Sequence, residues 1–415
     1  MQMIDTFTLN NGIRAVVRQI DGVKSCSIGV FVKAGSSDET NDENGISHFI
    51  EHTNFKGTNK RDTYKISWDS DSLGIILNAA TAKEFTYYYT KTISEHVEKA
   101  FDILADLFID SVYPPLELDK ERGVVIEEIN MYEDTPDDVV TTELISAYYG
   151  TGDGFGRTIL GPKENVKRFT REDIFAYKAK YYTTDNIVLS FVGDISPEKA
   201  RELTEKYFSV LKPSKSAPRL VKNLTPVFDR TERVKDIEQA HLALGFKGVG
   251  QKDEPYNYFE VMANILGGGM SSRLFRKIRE EMGLCYTVYA YHLSYFDSGL
   301  VCVYAGLNGD KLNEAYSAVM KEIELFKKSG VGEDEFNLVR EQLKSSLVFA
   351  EESTTAQMTL FGRRMLFFND VYDFGEKLNK INALSADKLN DYVINAFDID
   401  KFSVSTVAKK PKIVT

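Results

Sequence analysis

Thr170-Arg-Glu-Asp-Ile174, with Tyr177 three residues on, returns 215 positions later as Ser385-Ala-Asp-Lys-Leu389 with Tyr392. Each segment reads as an amphipathic helix capped by a hydroxyl residue. Each leads into a β-rich run, Ile187-Val-Leu-Ser-Phe-Val192 in one and Phe402-Ser-Val-Ser-Thr-Val407 in the other. The same offset pairs Phe31 with Phe246, Gly35 with Gly250, and Asp38-Glu39 with Asp253-Glu254. One offset held at both ends of a domain-sized unit reads as a duplication. Between the copies, Lys212-Pro-Ser-Lys-Ser-Ala-Pro218 has no apolar period. The expected division is therefore a first domain over 1–212, a linker over 213–230 and a second domain over 231–415. Strand runs (Ser27–Val32, Phe85–Thr90, His241–Phe246, Leu300–Tyr304) mix with long helices (Val97–Ile109, Leu312–Lys328) without regular βαβ alternation. The expected class is α+β: two homologous domains, each a mainly antiparallel β-sheet packed with helices on one face.

Composition narrows the function. A chain of 415 residues is too long for one ordinary core, and 43% hydrophobic with 27% charged residues is a globular balance. A net charge of -11 argues against nucleic acid and against anionic membrane surfaces as partners. No run approaches the length of an apolar membrane span, and the first residues lack the pattern of a secretion signal. Cys26, Cys285 and Cys302 are sparse and not spaced as metal pairs, which fits packed, reduced thiols and a cytoplasmic location.

The chemistry concentrates in His48-Phe49-Ile50-Glu51-His52, which holds two of the five histidines. Residues four apart share one helix face, so His48 and His52 can bind one metal ion with Glu51 beside it. Asn44-Gly45-Ile46-Ser47 reads as the helix start, and Phe49, Ile50 and Phe55 as its buried neighbours. Two imidazoles plus a nearby carboxylate suit metal-assisted hydrolysis, in the H-x-x-E-H order. Shifted by 215, His48, Glu51 and His52 fall on Ala263, Leu266 and Gly267, so only one copy carries the site. A hydrolytic zinc needs a third protein ligand. His96, His241 and His292 read as surface or packed residues, at a helix start, at the beginning of a strand and after a strand. The acidic stretch Glu117–Glu128 offers several carboxylates, with Glu121 and Glu128 on one helical face. The pattern alone does not choose among them.

His48-Phe-Ile-Glu-His52 with Phe55-Lys-Gly-Thr58, followed by Glu121-Arg-Gly-Val-Val-Ile-Glu-Glu128-Ile, resembles the pitrilysin and mitochondrial processing peptidase family over essentially the whole chain. The resemblance implies that Glu128, 76 residues after His52, is the third ligand of one zinc ion per chain, and that Glu121 is a further site residue. It also implies that Glu51 is the proton-transferring carboxylate. Asn78-Ala79 and Glu84-Phe-Thr-Tyr87 look like the family's active-site strand. Leu266-Gly-Gly-Gly-Met-Ser-Ser-Arg273 and Arg279–Tyr286 look like its second-domain signature, in which Arg279 and Tyr286 grip substrate. Gly267–Gly269 is expected as a tight turn before a helix capped by Ser271. Thr53-Asn54-Phe55 and Gly74-Ile75 depart from the family's usual residues without touching a ligand. The implied activity is zinc-dependent endopeptidase action on peptides or unfolded segments inside a chamber, by a homodimer. The alternatives are a non-catalytic core-type subunit and one half of a heterodimeric peptidase.

Overall fold

The computed structural model describes residues 4–152, 154–220 and 224–413. Among the described residues eleven strands form two sheets. Those of the first are β1 (Ile4–Thr8), β2 (Arg14–Gln19), β3 (Ser25–Val32), β4 (Ile76–Thr81), β5 (Thr86–Ile93) and β6 (Ile187–Gly193). The second holds β7 (Arg230–Val234), β8 (Gln239–Lys247), β9 (Cys285–Ser294), β10 (Gly299–Asn308) and β11 (Ser403–Ala408). The first sheet runs β1-β2-β6-β3-β5-β4 and the second β7-β11-β8-β10-β9. Moving β2 to β6 along by 215 residues lands on β7 to β11, so the two orders coincide. In each sheet one pair is parallel and the rest are antiparallel, and the parallel register is kept: Arg18 faces Val192, and Arg233 faces Val407. The two-domain, mainly antiparallel α+β class is what the structure shows.

The long apolar strands follow from burial on both faces. Cys26, Ile28, Val30 and Val32 of β3 point into a core with Phe49, Phe101, Leu104 and Phe191. The opposite face of β3 meets the helix Thr354–Phe368, where the hydroxyls of Ser27 and Thr354 are 2.9 Å apart. Glycines permit that close approach. A Cβ on Gly29 would lie 2.3 Å from Met358 Sδ, and one on Gly362 would lie 2.3 Å from the Phe31 ring. A strand buried on both faces has no reason to alternate apolar with polar residues.

That helix comes from the second repeat, and the exchange is reciprocal. The first compact unit comprises Met1–Ile129, Thr158–Val221 and Phe349–Asp373, and the second Asn130–Arg157, Lys222–Val348 and Phe374–Thr415. Helix Pro136–Tyr149 of the first repeat thus belongs to the second unit, where it covers β8 and β11. There Leu144 lies 3.3 Å from where a Gly245 Cβ would be, and Tyr148 donates to Gly299 O at 3.1 Å. Each exchanged helix follows a 20-residue helix after a single extended residue, Thr135 (ψ 101°) or Ser353 (ψ 113°). The main helices cover one face of each sheet, as expected, and the exchanged helix covers the other.

Other expectations need adjusting. A tight turn and a helix do follow Gly269, but the helix starts at Arg273 without a Ser271 cap and turns into π-helix after Leu274. Ser272 N bonds back to Gly269 O, and Phe275–Glu281 is a π-helix. His292 lies within β9 rather than after a strand. Much of the expected linker is tied down: Ser216 N bonds Asp185 and Ala217 N bonds Lys180 O in the first unit, while Val227 N and Asp229 N bond Tyr148 O and Ala147 O in the second. Among the described residues no helix is long and apolar enough to cross a membrane.

The tight seat of the exchanged helix is testable. Gly362→Leu should cost about 1–3 kcal/mol by overpacking against Phe31, read from urea unfolding. Wild-type stability in that variant would contradict the seating.

Candidate metal centre

The helix carrying the histidine pair runs Ile46–Thr53. Its start is set from outside: the Glu39 carboxylate accepts from Gly45 N and Ser47 N, both at 2.8 Å, and from Asn44 Nδ2 at 3.0 Å. A helix N-terminus leaves N–H groups without partners, and a carboxylate satisfies them and favours the dipole. Gly45 has φ +101°, and a Cβ there would sit 2.7 Å from Leu160 O, so glycine is required. Ile46, Phe49 and Ile50 then enter the core. His48, Glu51 and His52 are left at its rim.

Helix Pro115–Asp134 brings the carboxylates. Glu128 Oε2 lies 3.5 Å from His48 Nε2 and 3.2 Å from His52 Nε2. Among the described residues these three form a group whose ligand atoms lie within 4.8 Å of one another. On the far side of His52, Nδ1 is 2.9 Å from Glu121 Oε1, and Glu121 Oε2 is 2.7 Å from Lys56 Nζ. Glu51 turns elsewhere: its Oε2 accepts from the Thr81 hydroxyl of β4 at 2.5 Å. Glu121 and Glu128 do share a helical face toward His52, while Val124 is exposed.

Electrostatics are consistent with a ligand set. Burial, then the neighbouring His52, pushes His48 down to about 3, so its imidazole is neutral. Burial would raise the Glu121 carboxyl, but His52 and Lys56 together hold it below its usual range. Burial would lower the His52 imidazole, but Glu121, Glu128 and Glu51 together raise it. Three carboxylates thus draw a positive charge to this point, and a metal ion bound at Nε2 would take the place of the proton held there. With the His48 imidazole neutral, both Nε2 atoms lie next to the same Glu128 oxygen. Two imidazole nitrogens, one carboxylate oxygen and a carboxylate behind one imidazole fit zinc.

The remaining expected residues fall in two places. Asn78 and Ala79 lie on β4, which among the described residues pairs only with β5 and so has a free edge. Asn78 is exposed and Ala79 is packed in the core. Arg279 lies on the π-helix with its guanidinium over the rings of Phe275 and Tyr286, at 4.7 and 5.1 Å. Tyr286, on β9, is 74% exposed. In the second repeat Ala263, Leu266 and Gly267 are fully buried in helix Tyr256–Gly267, and a Cβ on Gly267 would lie 2.2 Å from Ala290 N. Helix and strand there close the space that the imidazoles occupy in the first repeat. The other histidines are accounted for: His241 bonds the Tyr304 hydroxyl at 2.8 Å, His292 approaches Val249 O at 3.0 Å, and His96 lies 3.7 Å from Glu95. Thr81, Lys56 and Glu39 are site residues that sequence reasoning missed. Thr81, two residues beyond Ala79 on an alternating strand, was the one within reach of it.

The family model described as insulinase (peptidase family M16) matches residues 14–163, and that of the peptidase M16 inactive domain matches residues 168–343. The chain is 39% identical to the uncharacterized zinc protease YmxG of Bacillus subtilis, over 96% of this chain and 97% of that one. It is 34% identical to an uncharacterized zinc protease of Rickettsia felis, over 92% of both chains. The fold matches a protease from Helicobacter pylori with a TM-score of 0.90 at 22% identity, covering 98% of this chain and 100% of that one. It also matches the peptidase M16 inactive domain from Pseudomonas fluorescens with a TM-score of 0.91 at 18% identity, covering 99% and 100%. Duplicated sheets, one metal-type histidine pair and relatives that span the full length agree: the chain belongs to peptidase family M16, the pitrilysin-like insulinase family.

Proposed function

We propose that this protein is a zinc-dependent endopeptidase acting on peptides or unfolded segments. The observation that carries the proposal is the division of labour at the metal helix: His48 and His52 converge on Glu128, while Glu51 is bonded to a strand with a free edge. His48, His52 and Glu128 would hold one zinc ion. Bound zinc supplies Lewis acidity, polarising the scissile carbonyl and making a water easier to deprotonate.

The protein's own groups do the rest. Glu51 accepts the proton of the attacking water and returns it to the leaving amine nitrogen. Thr81 holds one Glu51 oxygen and leaves the other for that proton. Glu121 fixes the His52 tautomer and Lys56 fixes Glu121. A peptide adds to the free edge of β4 at Asn78–Thr81, through main-chain hydrogen bonds largely blind to sequence; Ala82 and Lys83, expected to extend that edge, already accept from Ser36 and Ser37. Arg279 offers a fork for a substrate carbonyl or carboxylate, and Tyr286 a hydroxyl for the developing oxyanion. The chain carries both the metal set and the Arg…Tyr pair, which supports a homodimer over a heterodimer with a related subunit. Retention of every metal residue supports catalysis over a non-catalytic core subunit. Three buried, unpaired thiols suit a reducing compartment such as the cytoplasm.

Glu51→Gln should keep stoichiometric zinc and lose peptide hydrolysis by roughly 10²–10⁴-fold. A wild type without stoichiometric zinc, or a Glu51→Gln variant that cleaves as well as wild type, rules the mechanism out. Glu121→Gln should weaken zinc binding about 10–100-fold in chelator competition, and His52→Ala should abolish stoichiometric binding. Unchanged zinc affinity in Glu121→Gln would remove its orienting role.

A further inference from the structure

Arg219 lies in the stretch that composition marks as a linker, yet its side chain is only 26% exposed and its guanidinium reaches buried carboxylates of the first unit. Its Nε donates to Asp38 Oδ1 at 2.9 Å, Nη2 to Ser37 Oγ at 3.0 Å and Nη1 to Glu84 Oε1 at 3.4 Å. The side chains of Asp38 and Glu84 are 1% and 8% exposed. Two buried carboxylates on different segments therefore share one arginine, and a planar fork is the group that can bridge them. The approach is fixed by the chain itself: Ser214 N donates to Thr184 Oγ1, Ser216 N to Asp185 and Ala217 N to Lys180 O.

The two bridged segments are the ones that build the site. Asp38 belongs to the turn Gly35–Glu39, whose last residue caps the metal helix. Glu84 belongs to the connection between β4 and β5, just beyond Thr81 and the free edge. The turn rests on that connection: Ser36 N donates to Ala82 O at 3.2 Å and Ser37 N to Lys83 O at 2.8 Å. A Cβ on Gly35 would lie 2.3 Å from Ala82 O, so the backbones are in direct contact. In the second repeat the turn recurs, with Gly250 N bonded to Asp253 Oδ2 at 2.8 Å as Gly35 N is to Asp38 Oδ2 at 3.2 Å. There, however, Glu254 is exposed and pairs with Lys388 and Tyr392 instead of capping a helix.

We propose that Arg219 is a positioning residue: from the inter-repeat segment it latches the Gly35–Glu39 turn to the β4–β5 connection, fixing the metal helix and the substrate-receiving edge in one geometry. The part that concerns substrate rests on the peptidase reading above. The latch itself does not. Burial pushes the Asp38 carboxyl above its ordinary range and Arg219 is the first charge opposing it, so loss of Arg219 loosens the turn where it is held.

The test uses the full-length, zinc-loaded protein with Arg219→Met and, in case that variant folds poorly, Arg219→Lys. Amide hydrogen exchange should speed up about tenfold or more at Ser36 and Ser37 in Arg219→Met, with Ile28 and Val30 of β3 unchanged. Arg219→Lys should fall between, since lysine keeps the charge but not the fork. If the competent edge geometry falls to roughly one molecule in five, KM for a peptide rises about fivefold, with kcat within about twofold and zinc affinity unchanged. Wild-type exchange at Ser36 and Ser37 in both variants overturns the latch. Faster exchange with an unchanged KM in an active enzyme overturns the positioning role. The exchange arm needs no peptide, so an inactive wild type would sink the peptidase reading while the exchange result still decides the latch.

Discussion

The candidate metal centre depends on a buried carboxylate placed against a helix start. Glu39 accepts from Gly45 N, Ser47 N and Asn44 Nδ2, and through them sets where the helix Ile46–Thr53 begins and how it is turned. Burial pushes the Glu39 carboxyl up to about 7, and those donors pull against it. A carboxylate so far from water persists only where the donors are fixed. They are: Asn165 holds Asn44 O and Asn41 O from outside, and the Ser47 hydroxyl meets Tyr177. With the start pinned, helical geometry alone delivers His48 and His52 to one face and Glu51 beside them.

The second repeat shows what the same architecture does without that arrangement. Strand order and the parallel register survive, and so does the hydrogen-bonded turn at Gly250–Asp253. Helix Tyr256–Gly267 begins two residues after Glu254, past Pro255, however, and its glycine end lies against the backbone of β9. Polar groups at a helix rim are costly to bury without partners. The repeat that lost them gained contact with its edge strand, and the fold tolerated the change because both solutions fill the same space.

Much of this was legible from residue pattern, for physical reasons. Thr170 and Ser385 signal helix starts because their hydroxyls satisfy local N–H groups, and the Thr170–Asp173 capping box and the Ser385 cap are both present. The histidine spacing was legible because four residues make about one helical turn. What stayed hidden depends on long-range packing. No local signal marks which sheet the helices Pro136–Tyr149 and Thr354–Phe368 will cover. The helix expected after Ser271 starts at Arg273 and winds as π-helix over Phe275–Glu281, and nothing local marks either change. Arg219 sits among Pro, Ser and Lys residues that resemble a loose connector, and its partners Asp38 and Glu84 lie more than a hundred residues away.

The exchanged helices bear on what counts as the minimal folding piece. Each sheet has one face covered by its own repeat and the other by a helix that its own repeat does not supply. A first repeat cut at the linker would carry a spare helix, Pro136–Tyr149, and an uncovered row at Ser27, Gly29 and Phe31. Such a fragment has both a vacancy and the plug that fits the vacancy of another copy. The pair, fused or as two chains trading helices, is therefore the smallest assembly in which both faces of each sheet are covered. Duplication followed by fusion turns that exchange between molecules into one within a molecule, and frees one half to lose its metal residues while still sealing the half that keeps them.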